Sequence, residues 1–268
     1  MVNEAEIAQY QEQGHVTIRN LLSRTDVERL VERLDGMLDG RYPSDGFVCG
    51  PASWETPDDP GRFILQVMAT RFPINDPVLA ALHDNRGLRQ AAAALMGSEH
   101  ATVFQQQALI KGANAPNATP WHQDDHYWQL QRSGHTAVTA WIPLRRTTAH
   151  GGTMWLLPGS HRHRIYEHHW TRGVSLFKTI TGGIPEQDLI PLELEPGDVS
   201  FHHKNMVHGA FANRGVERRV AIAQHYHNAA DKSAAFSHRR DDPVPWKYQM
   251  KKRVRAGQAA RAGRHRGV

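Results

Sequence analysis

Cysteine is almost missing from this 268-residue chain, with Cys49 the sole example. A lone thiol rules out an internal disulfide and a thiolate metal cluster, fits a reducing cytoplasm, and leaves histidine and carboxylates as metal ligands. No apolar run approaches the length that spans a bilayer, so no membrane segment is expected. The opening MVNEAEIAQYQEQG has acids where a secretory leader has bases, and no apolar stretch follows it, so export is not expected either. Repeats and long low-complexity linkers are absent before residue 247, and the length suits one sizeable core, which predicts a single catalytic domain over residues 1–246. Acids are lacking from residues 247–268, which hold eight Lys or Arg. Without that stretch the chain carries 24 basic against 27 acidic groups, so its body is slightly acidic despite the formal net charge of +5. A terminal run of Arg, Ala and Gly with few large apolar groups reads as a flexible basic tail, not a nucleic-acid-binding element.

What is present begins with an alternating stretch, His15-Val16-Thr17-Ile18. Val27, Leu30, Val31 and Leu34 then recur at helical spacing and predict a helix from about Ser23 to Leu38, with Ser23 as its cap. Leu79, Leu82, Leu88 and Leu95 predict a second helix from about Pro77 to Met96, stopped by Gly97. Between the two, the Gly-, Pro- and Asp-rich segment Arg41 to Arg62 reads as a surface loop or lid. From Thr102 the texture changes to short β-like runs at 102–110, 136–142, 153–157, 189–194, 198–202 and 219–226, separated by Gly, Pro and Asn. Many short strands with little helix between them predict a mainly β sandwich or barrel with flanking helices.

The 18 histidines make imidazole ligation worth pursuing. His122 and Asp124 stand two apart, so on an extended strand both side chains leave one face with Cα atoms about 6.5–7 Å apart, within reach of one metal ion. Such a pair alone is more often a simple hydrogen-bonded pair and needs a third ligand. His208, in Met206-Val207-His208-Gly209, offers one far downstream at a strand end. Two histidines and one carboxylate leave three coordination positions open, the arrangement of a non-haem iron oxygenase rather than a closed structural site. Arg219 opens the apolar run Val220-Ala221-Ile222-Ala223, where a guanidinium is costly to bury without an anion. A dicarboxylate would supply that anion through a bidentate contact; a protein acid or solvent, as expected for Arg218 beside it, is the alternative.

WHQDDHYW at 121–128, TAWIPL at 139–144, GGTMWLLPGSH at 151–161, Gly197-Asp198, and the spacing of His208, Asn213 and Arg219 together resemble the phytanoyl-CoA dioxygenase family. The opening from Gly14 to Val31 is also similar to that family, so the resemblance covers about residues 1 to 230. It implies a double-stranded β-helix, the cupin-like jelly roll, with the metal at one mouth and helices packed outside. It further implies Fe(II) held by His122, Asp124 and His208, 2-oxoglutarate anchored by Arg219 and contacted by Gln107 and Trp141, and dioxygen as oxidant. Where the family often has Gly-Ser after the distal histidine, this chain has Gly209-Ala210, so one hydroxyl contact to 2-oxoglutarate is missing.

The expected reaction couples decarboxylation of 2-oxoglutarate to succinate with oxidation of a small organic molecule: hydroxylation, or desaturation, ring closure or epoxidation. A secondary-metabolite intermediate is favoured over a fatty acyl-CoA because the slightly acidic body shows no separate basic pocket for CoA. Substrate contacts are expected from Tyr127, Trp128, the 41–62 loop and the stretch 162–181. His202 and His203 read as strand residues near the site; His126, His161, His225 and His227 read as packing or polar contacts. Gly159-Ser160-His161 reads as structural. Two rival classes stay open: a jelly-roll isomerase or hydrolase using another divalent metal, and a non-catalytic binding module.

Overall fold

A computed structural model describes residues 2–38, 40–42, 47–51, 64–69, 74–128, 136–163, 165–169 and 179–228. The basic stretch 247–268, most of the expected 41–62 substrate segment and half of the 162–181 segment lie outside the described residues. The chain enters through α1 (Glu4–Gln13), opened by a reciprocal Asn3–Glu6 capping box and closed by Gly14 in the left-handed region at φ 78. There follow β1 (His15–Ile18), α2 (Arg24–Leu38), β2 (Phe47–Pro51), β3 (Ile64–Ala69), α3 (Pro77–His83) and α4 (Arg86–Leu95). The strand-rich part comprises β4 (Ala101–Lys111), β5 (Thr119–His122), a single turn α5 (Asp125–Trp128), β6 (Ala137–Pro143), β7 (Trp155–Leu156), β8 (His168–His169), β9 (Thr179–Ile180), β10 (Ile190–Pro191), β11 (Val199–His203), β12 (His208–Ala210) and β13 (Arg219–Asn228).

Seven strands form one antiparallel sheet in the order β1-β11-β6-β13-β4-β3-β2, and four form a smaller one in the order β10-β7-β12-β5. These two sheets are the double-stranded β-helix that the sequence implies. Alternation along β13 sets its two faces. Val220, Ile222 and Tyr226 join Ile110, Ile142, Phe201 and the helix residues Leu30, Leu34, Leu79 and Leu88 in the outer core. Arg219, Ala221, Ala223 and His225 take the opposite, inner face. There Ala221 and Trp141 pack with Met154, Leu156, Leu192, Leu194 and Met206, which closes one sheet on the other. Leu34 and Leu88, both fully buried, pin α2 and α4 to the large sheet; burying each side chain stabilises the fold by about 1.5–3 kcal/mol.

Ser23 caps α2 as expected, its hydroxyl accepting from the Asp26 N–H at 3.1 Å. The single helix expected over 77–96 is two, because Asn85 starts a new one by accepting from the Leu88 N–H at 3.0 Å. The expected 189–194 strand contracts to β10, since Pro191 has no N–H to donate. The expected 41–62 loop contains β2, paired with β3. Among the described residues no helix is long and apolar enough to cross a membrane.

Candidate metal centre

β5 and β12 pair antiparallel with His122 directly opposite His208, so the two imidazoles are cross-strand neighbours with ring centroids 4.2 Å apart. Asp124 lies beyond the end of β5, in the turn into α5, rather than on the continuous extended strand its spacing suggested. The turn is fixed by Gln123, fully buried. Its side chain donates to the Asn205 carbonyl at 2.8 Å and accepts from the Tyr166 N–H at 2.8 Å, and its own N–H donates to His168 Nε2 at 3.1 Å. Asp124 is thereby swung back toward the two histidines. Its Oδ1 stands 3.9 Å from His122 Nε2 and 3.7 Å from His208 Nε2. All three residues are buried, and each offers a ligand atom within 4.8 Å of the others, the one such group among the described residues.

Both histidines present the same nitrogen inward. His122 Nδ1 lies 2.7 Å from the Pro120 carbonyl and His208 Nδ1 lies 3.0 Å from the Met206 carbonyl. A carbonyl only accepts, so each Nδ1 carries the proton and each Nε2 is left with a bare lone pair. Burial, opposed in part by Asp124, pushes the His122 pKa down. Burial and the neighbouring His122 push His208 well below its ordinary value. Burial works against the Asp124 charge, but the imidazoles around it, His208 foremost, hold the carboxyl well below the usual carboxylate range. Two neutral imidazoles and one ionised carboxylate are the protonation states that a divalent cation requires. The donor set therefore fits a metal such as iron.

Arg219 is buried at the start of β13. Its Nε donates to the Gly152 carbonyl at 3.1 Å and one terminal nitrogen to the Leu109 carbonyl at 2.8 Å, and no carboxylate pairs with it among the described residues. Burial pulls its pKa down to about 10, so it stays charged near neutrality. Arg218 instead reaches outward to Asp35 at 3.2 Å. Trp141 and Gln107 lie in one cross-strand row, each opposite Ala223. Trp141 is packed in the inner core. Gln107 Nε2 meets His225 Nε2 at 3.2 Å.

The other quoted motifs position this centre. Ser160 Oγ accepts from the Val207 N–H at 2.9 Å, fixing the residue before His208. Asn213 ties the turn between β12 and β13, its amide donating to the Gly112 and Glu217 carbonyls at 2.8 Å each. A Cβ on Gly152 would meet Asn213 Cβ at 2.9 Å, so only glycine lets that backbone come close enough to offer its carbonyl to Arg219. His203 packs toward Tyr10 and His161, away from the three converging side chains. Tyr127 and Trp128 sit beside the centre as expected, Tyr127 edge-on to His122 at 6.0 Å and Trp128 edge-on to His225 at 4.8 Å. Reading the sequence passed over Thr139, His225 and His202 as partners of Asp124. Their only signal is that they are polar residues at inward positions of otherwise apolar strands.

The sequence profile of the phytanoyl-CoA dioxygenase (PhyH) family matches residues 10–221. The chain belongs to this family. A probable phytanoyl-CoA dioxygenase of Caenorhabditis elegans is 24% identical over 232 residues, covering 82% of this chain and 73% of that protein. The 1-deoxypentalenic acid 11-beta-hydroxylase of Streptomyces arenae is 28% identical over 228 residues, 78% of this chain and 74% of that protein. Against the rat and cattle peroxisomal phytanoyl-CoA dioxygenases the matched stretch spans only 32% and 34% of those proteins. Among solved structures, EvdO2 from Micromonospora carbonacea var. aurantiaca, complexed with 2-oxoglutarate, superimposes with a TM-score of 0.66 at 19% identity, covering 85% of this chain and 92% of that chain. That likeness establishes the jelly-roll fold.

Proposed function

We propose that this protein is an Fe(II)- and 2-oxoglutarate-dependent dioxygenase that oxidises a small organic molecule, a secondary-metabolite intermediate, in the cytoplasm. His122, Asp124 and His208 are its iron ligands, Arg219 holds the distal carboxylate of 2-oxoglutarate, and residues 1–246 act as one domain. The observation that carries this reading is the pairing of a three-residue donor group with a buried guanidinium that no acid pairs with among the described residues. A closed structural metal site has no use for such a cation, and neither does an isomerase or hydrolase without a dicarboxylate co-substrate.

Each part of the chain has a task in this chemistry. Bound iron couples the decarboxylation of 2-oxoglutarate to oxidation of the substrate by dioxygen. The Nδ1–carbonyl bonds of His122 and His208 hold both rings with Nε2 aimed at the ion, so no side-chain search precedes binding. Between His225 and Arg219 the inner face of β13 carries only Ala221 and Ala223, which keeps bulky side chains of that strand off the line between them. The jelly-roll core around Trp141, Leu156 and Met206 keeps bulk water from the buried side of the centre. Similarity to the Streptomyces hydroxylase, together with the slightly acidic body, supports a small metabolite over an acyl-CoA.

Anaerobic titration of the metal-free protein with Fe(II) and then 2-oxoglutarate tests the reading. A weak visible charge-transfer band that saturates with both is expected. No band under saturating conditions would favour a different metal and a reaction without 2-oxoglutarate.

A further inference from the structure

The two oxygens of Asp124 face different surroundings. Oδ1 meets the Nε2 atoms of His122 and His208. Oδ2 points the other way, into a group of polar side chains that β11, β6 and β13 bring together in one cross-strand row: His202 opposite Thr139, and Thr139 opposite His225. Thr139 Oγ1 lies 2.8 Å from Asp124 Oδ2 and 2.9 Å from His225 Nδ1. An ionised carboxylate only accepts, so the threonine hydroxyl donates to Asp124. It therefore accepts from His225 Nδ1–H, whose bare Nε2 accepts in turn from the Gln107 amide at 3.2 Å. Every hydrogen along Gln107–His225–Thr139–Asp124 is thus assigned.

His202 is the member left over. It is 1% exposed, and among the described residues neither of its ring nitrogens has a partner at ordinary hydrogen-bond geometry. Orphaned buried polar atoms are rare and costly. Its Nε2 stands 3.4 Å from Asp124 Oδ2, a few tenths of an ångström beyond ordinary hydrogen-bond length, and its ring lies 4.6 Å from that of His208. It falls outside the group of convergent ligand atoms, so it is not a fourth ligand.

We infer that His202 is a positioning residue of the metal centre: its Nε2–H joins Thr139 Oγ1 in holding Asp124 Oδ2, so that the carboxylate meets the metal through Oδ1 alone. This rests on the reading of Asp124 as a ligand. Two donors on one oxygen tie it down from both sides. A carboxylate free to turn would take a second coordination position, one that 2-oxoglutarate and dioxygen need between them.

Cobalt(II), with the full-length protein under anaerobic conditions, tests this without turnover. The affinity and the intensity of the visible cobalt bands, which report coordination number, are compared for wild type, His202→Leu, His202→Gln and Thr139→Val. His202→Leu and Thr139→Val should each weaken cobalt binding about 10- to 100-fold, the usual cost of losing a partner of a metal ligand, and change the band intensity. His202→Gln, whose amide still donates, should restore the wild-type spectrum and most of the affinity. Thermal melting of the metal-free proteins checks the fold. A folded His202→Leu protein with wild-type affinity and spectrum overturns the inference alone, as does a His202→Gln protein no better than His202→Leu. A wild-type protein that takes up no cobalt overturns the metal assignment, and the inference with it.

Discussion

Arg219 and Lys111 are direct partners across the β13–β4 ladder, two buried basic residues with no carboxylate paired to either among the described residues. The Lys111 ammonium donates to the carbonyls of Asn117, Ala210 and Phe211, and burial, with Arg219 beside it, pushes its pKa well below the usual value. The lysine thus spends its hydrogens on backbone. Under the proposed function, Arg219 is the cation that an incoming dicarboxylate would neutralise.

Arg219→Gln should therefore raise the 2-oxoglutarate requirement by about two orders of magnitude, since losing one partner of a buried charge pair costs about 2–5 kcal/mol. Iron affinity should hardly change. Arg218→Gln, which loses only the partly exposed contact to Asp35, is the control. Steady-state titration with 2-oxoglutarate decides it, and a large effect in the Arg218 variant with none at Arg219 would show the anchor to be misassigned.

Alanine in place of His122, Asp124 or His208 should abolish oxidation while leaving the far-ultraviolet circular dichroism of the protein intact, because each removes one of three ligands at a site separate from the helix-packed core. His203→Ala is the comparison, since that ring faces Tyr10 and His161. Full iron binding and turnover in His208→Ala would refute the ligand set.

Asp124 also fixes what the centre does with halide. With Asp124 as the proposed carboxylate ligand, chloride would have to displace a charged group that Thr139 holds at 2.8 Å in order to join the metal. Assays with substrate, iron, 2-oxoglutarate, oxygen and abundant chloride should give an oxygenated or dehydrogenated product. A chlorine isotope pattern in its mass spectrum would remove Asp124 from the ligand set.

Stability should fall on mild acidification. Burial, then His202 and His161, lowers the His15 pKa to about 4, and burial, then His161, lowers that of His203 to about 3. The folded protein keeps these rings neutral while the unfolded chain takes up protons near an ordinary histidine pKa of about 6.5. Unfolding thus binds protons between those values, and each histidine removes up to about 1.4 kcal/mol per pH unit as pH drops through the window from about 6.5 to about 4. Urea melts of the metal-free protein from pH 7.5 to 5 should show this slope, and His15→Gln should flatten it. A flat profile in the wild type would contradict the assignment.

The convergent group of His122, Asp124 and His208 was legible because a His-x-Asp and a distant histidine followed by Asn213 and Arg219 match the motifs of the family that the chain resembles, with thiolates excluded by composition. The chain Gln107–His225–Thr139–Asp124 was not legible. Alternation says which face a residue takes, but strand register alone says which residue lies opposite, and register depends on tertiary packing. Local competition explains the remaining differences. The α1 helix was missed although Asn3 and Glu6 form its capping box, because its own sequence has a weak apolar stripe. The 77–96 helix divides because the Asn85 side chain outbids the backbone for the Leu88 N–H.

The direct opposition of His122 and His208 on β5 and β12 has a mechanical meaning as well. An ion gripped by both would tie together two strands of the smaller sheet whose sequences are separated by everything from α5 to β11, and such long loops are the ones whose closure a cross-link favours most. Such an ion would act as a clasp at the mouth of the jelly roll, and emptying the site would free that rim to loosen.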